Sequence, residues 1–101
     1  MAYQAQDNLP PVHPGEILAD ELDALGLSAR KFAAHIGVPP NSVTDILNGH
    51  RKITAEMAMR FGQAFGTGEH YWLNLQSCHD AKLARISMGD RIKDIAPLVT
   101  G

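Results

Sequence analysis

The sequence predicts an all-α protein, a compact five-helix domain organised around a helix-turn-helix. Two observations carry that expectation. Apolar residues recur at helical spacing in five segments of the 101-residue chain, with no convincing strand pattern between them. Residues 29–49 also hold the register of two short helices crossing steeply about a glycine.

The first helix begins at His13-Pro14, with proline where a helix needs no N–H and Glu16 near its positive end. Ile17, Leu18, Leu22 and Leu25 form its stripe, and Gly26 ends it. Ser28 caps the second helix. Phe32, Ile36, Val38, Val43, Ile46 and Leu47 supply the apolar set that the second and third helices share. Ala33 is the small residue at their crossing, and Gly37 takes the left-handed backbone that joins them. The third helix runs from about Pro40 to Asn48. Thr54 caps the fourth, which turns Ala58, Phe61 and Phe65 inward and stops at Gly66. Gly62 inside that helix costs roughly 1 kcal/mol against alanine, which points to a close neighbour. The fifth helix spans about Glu69 to Ile86. Residues 13–87 thus form the domain, between a flexible segment over 1–12 and a tail over 88–101.

Composition bounds the function classes. With 45% hydrophobic and 20% charged residues, the chain is an ordinary globular one. The lone Cys78 excludes an internal disulfide. There is no apolar run long enough for a membrane span and no signal-peptide pattern at the start, so a cytoplasmic location is expected. The net charge of −2 conceals strong segregation: residues 1–27 carry −5, whereas residues 28–52 carry +3.

That basic segment coincides with the helix-turn-helix and points to double-stranded DNA. Val43, Ile46 and Leu47 mark the buried side of the third helix, leaving Pro40, Asn41, Thr44 and Asp45 outward, with Ser42 at the margin. Short polar side chains near the N-terminal end of such a helix read the major groove. Asn41 suits adenine, Thr44 suits thymine, and Asp45 accepts from cytosine. Ser28, Arg30 and Lys31 on one flank, and Asn48, His50, Arg51 and Lys52 on the other, fall where a sugar-phosphate backbone passes.

On the fifth helix, Trp72, Leu75, His79, Leu83 and Ile86 make a stripe narrower than a core helix usually needs. It is assigned to dimerisation, with Trp72 as an anchor in a core or dimer seam. No metal site is expected, because His70 and His79 point apart on one helix and no C-x-x-C or H-E-x-x-H spacing is present. His35 reads as a helix-surface residue. No nucleophile-plus-base arrangement suggests an enzyme, and no cofactor motif is evident.

Several strings together resemble the HigA-type (VapI-like) antitoxins, within the wider Xre and phage-repressor-like regulators. They are His13-Pro-Gly-Glu-Ile-Leu18, Gly37-Val-Pro-Pro-Asn41, Leu47-Asn-Gly-His-Arg51 with Ile53-Thr54, Phe65-Gly-Thr67 and Trp72-Leu-Asn-Leu-Gln76. The resemblance covers about residues 12–84 and implies a lambda-repressor-like fold. It further implies an antitoxin that neutralises an RNA-cleaving toxin and represses its own operon as a homodimer on palindromic DNA. A stand-alone repressor without a toxin is the alternative. Two positions depart from the family: Ser42 stands where arginine is frequent, and His79 where tyrosine is usual. The operator sequence therefore does not carry over. The acidic residues Asp7, Glu16, Asp20, Glu21 and Asp23 would complement a basic toxin.

Overall fold

Local signals set the helix boundaries. The computed structural model describes residues 11–99. Within those residues five α-helices follow one another as α1 (Pro14–Leu25), α2 (Ala29–Ile36), α3 (Pro40–Leu47), α4 (Ala55–Phe65) and α5 (Glu69–Met88), and a 3₁₀ helix follows over Gly89–Asp94. Among the described residues there is no strand. His13 opens α1 with a reciprocal cap: its Nδ1 accepts from the Gly15 N–H at 2.9 Å, and its own N–H donates to Glu16 Oε2 at 3.2 Å. Ser28 and Thr54 each accept a third-residue N–H, from Lys31 and Met57, at 3.2 Å. Gly26, Gly37 and Gly66 end α1, α2 and α4 in the left-handed conformation.

The core gathers one face of each helix. Leu18 and Leu22 of α1, Phe32, Ala33 and Ile36 of α2, and Val43 and Ile46 of α3 meet Met57, Ala58 and Phe61 of α4. Trp72 closes this core from α5. Its ring packs edge-on against Phe61 at 5.2 Å and tilted against Phe65 at 5.4 Å, while Phe32 lies 5.1 Å from Phe65. The indole N–H, which would be costly to bury unpaired, donates to Thr67 Oγ1 at 3.1 Å. Leu25 departs from the expected stripe and is exposed. The left-handed turn at Gly26 hands the inward position to Leu27, which packs on the core instead.

Two backbone approaches set the helix crossings. A Cβ at Gly62 would fall 2.3 Å from the Gly68 carbonyl carbon, so the α4–α5 turn closes directly over α4. A Cβ at Gly15 would fall 2.0 Å from the Ile46 carbonyl oxygen, where α1 crosses α3. The second of these contacts seats α3 against α1 and leaves its other side outward. The segment expected as a loose tail opens instead as the 3₁₀ helix over Gly89–Asp94, where Arg91 donates to the Ser87 and Met88 carbonyls, and its residues are exposed from Gly89 through Val99. For residues 1–10 and 100–101, the expectations of a flexible segment and tail lie outside the described residues.

Candidate nucleic-acid interface

Two prolines start α3. Pro39 takes the cap position with extended backbone and Pro40 the first turn, so the orphan N–H groups there have no side-chain cap. Pro40, Asn41 and Asn48 are exposed on the outward face, and Thr44 is half-buried. The Thr44 hydroxyl donates back to the Asn41 carbonyl at 3.4 Å, which orients its methyl and lone pairs. Ser42 does not share this face: at 9% exposure it is buried, because it lies between the outward face and the apolar side of the helix. Its expected base-reading role is corrected accordingly.

The chain leaving α3 folds back beside it. The Asn48 N–H donates to the Thr44 carbonyl at 3.0 Å, and the His50 N–H to the Asp45 carbonyl at 2.8 Å, with Gly49 between them at φ 77°. This return sets Arg51 against the helix. Its Nη2 donates to Asp45 Oδ2 at 3.2 Å and its Nη1 to Ser42 Oγ at 3.4 Å. Asp45 therefore faces a cation of its own chain, whereas the sequence reading had it open to a base.

A polar strut holds the same loop from behind. Gln76, buried on α5, accepts the Ile53 N–H at 2.8 Å and donates to Asp80 Oδ1 at 3.1 Å. Asp80 Oδ2 in turn lies 3.7 Å from Lys52 Nζ. Sequence reasoning missed Gln76, because its partner is 23 residues away. It also missed Arg60, whose guanidinium donates to the Ile36 carbonyl and fixes the end of α2. On the other flank Arg30 and Lys31 are exposed at the start of α2 beside Ser28, and His35 is exposed on the same helix.

The α5 stripe divides. Trp72, with no exposed surface, belongs to the core of its own chain, and Leu75 packs against that core as well. Of the two places expected for Trp72 the core is the one observed, and Leu75 is half-buried against it, which takes both out of the open part of the stripe. The stripe's first turns lie over α4, which consumes them. His79 turns toward His13, ring centroids 4.9 Å apart and edge-on, and its Nδ1 is buried without a hydrogen-bond partner among the described residues. Burial foremost, and then repulsion from His79, lower the His13 pKa from 6.5, against the opposing pull of Glu16 and Asp80. Only Leu83 and Ile86, 46% and 69% exposed, remain as an open apolar surface on the distal half of α5.

Among the described residues no three His, Cys, Asp or Glu side chains converge as a metal site, and no helix is long and apolar enough to cross a membrane. Glu16, Asp20 and Asp23 are exposed along α1, and Glu21 is half-buried; Asp7 lies outside the described residues.

Comparison with known proteins agrees with this architecture. A helix-turn-helix family profile matches residues 18–72. An addiction-module antidote protein of the HigA family from Coxiella burnetii superposes with a TM-score of 0.86 at 48% identity, over 88% of this chain and 99% of that one. The Pseudomonas aeruginosa antitoxin HigA, solved with the higBA promoter, gives a TM-score of 0.82 at 40% identity over 88% and 99%. Virulence-associated protein I of Dichelobacter nodosus is 38% identical over 96 residues, which is 94% of this chain and 88% of that one. The chain belongs to the HigA-type, VapI-like antitoxin family of helix-turn-helix regulators.

Proposed function

We propose that the chain is the antitoxin of a type II toxin–antitoxin pair, acting in the cytoplasm, which represses its own operon and neutralises an RNA-cleaving toxin. The outward face of α3, flanked on both sides by cations in a fold shared with a promoter-bound HigA, carries this reading. Pro40, Asn41 and Thr44 meet base edges in the major groove. Ser28, Arg30, Lys31, Asn48, His50 and Lys52 meet phosphates on either side. Leu83 and Ile86 pair with a second copy, so that two α3 helices span a palindromic operator. The exposed carboxylates of α1 favour a basic partner over a stand-alone repressor.

The test is a reporter driven by the DNA upstream of this gene, with the neighbouring reading frame co-expressed. Repression of the reporter, together with rescue of growth from the neighbour's toxicity, is expected. A reporter indifferent to the protein overturns the repressor role, and a harmless neighbour that does not bind the protein overturns the antitoxin role.

A further inference from the structure

We infer that Arg51 reads a guanine in the major groove and that Asp45 is the residue that positions it, an inference that rests on the DNA-binding reading above. The chain reversal at Asn48–His50 brings Arg51 back alongside α3, to the level of Ser42 in its first turn. That end of a recognition helix is the one that enters the groove. Two different nitrogens of the guanidinium are held by two different side chains, Nη1 by Ser42 and Nη2 by Asp45, which fixes the plane of the fork as well as its position.

A phosphate contact needs no such plane. Backbone phosphates accept from many directions, and a mobile cation serves there. Arg30 and Lys31 fit that description, since neither forms an ion pair among the described residues. Bidentate recognition of guanine O6 and N7 is different, because it requires a planar donor pair held in one orientation. A guanidinium has five N–H donors, so the bonds to Ser42 and Asp45 leave others for a base. The Asp45 carboxylate also offsets the charge of Arg51. That weakens a general pull on phosphates and leaves directional hydrogen bonding intact. Both side chains keep about two-fifths of their surface exposed, 43% for Arg51 and 39% for Asp45, so a base edge can reach the fork. Asp45 is thus a positioning residue and not itself a reader of cytosine.

Selection from a duplex library with a randomised core tests this, using the wild-type protein, Arg51→Ala, Arg51→Lys and Asp45→Asn, each shown by circular dichroism to be folded. The wild type should enrich a sequence with a fixed guanine in each half-site. Arg51→Ala should lose that guanine alone, with affinity for the enriched site falling about 5- to 140-fold, the value of one bidentate pair converted at tenfold per 1.4 kcal/mol. Affinity for random duplex should fall far less than this, through the carboxylate of Asp45 left unpaired, and its log–log salt slope should change by well under one unit. Arg51→Lys should not restore the preference, because an ammonium has no fork. Asp45→Asn should relax the same position while binding random duplex no more weakly than the wild type. The inference is overturned if Arg51→Ala keeps the enriched sequence and flattens the log–log salt slope by about one unit, the signature of a phosphate contact. Rescue by Arg51→Lys has the same meaning. If the wild type enriches nothing, the DNA-binding reading fails and this inference with it, a result distinct from the failure of Arg51 alone.

Discussion

Gly15 lies against the backbone carbonyl of Ile46, so close that a Cβ on residue 15 would come within 2.0 Å of the oxygen. The obstacle is main chain, so no side-chain rotation relieves it. Gly15→Ala must push α1 away from α3, and overpacking of this kind costs about 1–3 kcal/mol. For a domain of this size that lowers Tm by roughly 4–8 °C per kcal/mol, measurable by thermal unfolding followed by circular dichroism. An unchanged Tm would show that the crossing tolerates a side chain.

Protonation of His13 removes a cap. Its Nδ1 accepts the Gly15 N–H only when neutral, and its pKa is lowered from 6.5 by burial first and His79 second. The unfolded chain therefore takes up this proton before the folded one does. The stability owed to neutral His13 is complete above about pH 6.5 and is lost as the pH falls through the lower folded value. His13→Asn keeps an acceptor that does not titrate. Urea midpoints measured down to about pH 5 should fall less steeply for that variant than for the wild type. Parallel slopes would remove His13 as the cause.

Leu83→Asp should separate pairing from folding. The residue is 46% exposed in the single chain, outside the core, so the variant should stay helical. In a seam between two copies, an unpaired carboxylate costs several kcal/mol. Sedimentation should show the wild type as a dimer and the variant as a folded monomer whose operator affinity drops further than its non-specific affinity. A variant still dimeric at micromolar concentration would move the seam elsewhere.

What could be read from the sequence was local. Ser28, Thr54 and the glycines that end α1, α2 and α4 act within a few residues, and their roles follow from backbone chemistry alone. Gly62 signalled a close neighbour but not which one; Gly68 supplies it. Trp72 was ambiguous for a physical reason. Periodicity identifies an apolar stripe without saying whether the same chain or a second copy covers it, and α4 covers the first turns here. His13 escaped as a cap because serine, threonine, asparagine and aspartate usually hold that position. Gln76 and the Asp45–Arg51 pair depend on chain reversals that spacing does not encode. The outward face of α3 was legible except at Ser42, where a marginal helical position turned out buried, and at Asp45, which pairs with Arg51.

Equilibrium binding of the DNA upstream of the gene, compared with a scrambled duplex at two salt concentrations, tests the central claim most directly. The wild type should prefer the upstream DNA and protect a two-fold site with half-sites about 10 base pairs apart, one helical turn. Asn41→Ala or Thr44→Ala should cost about 1–3 kcal/mol on that site and much less on the scrambled duplex. Equal affinity of the wild type for both duplexes, or equal losses on both in these variants, would contradict the assignment of α3 as the reading helix.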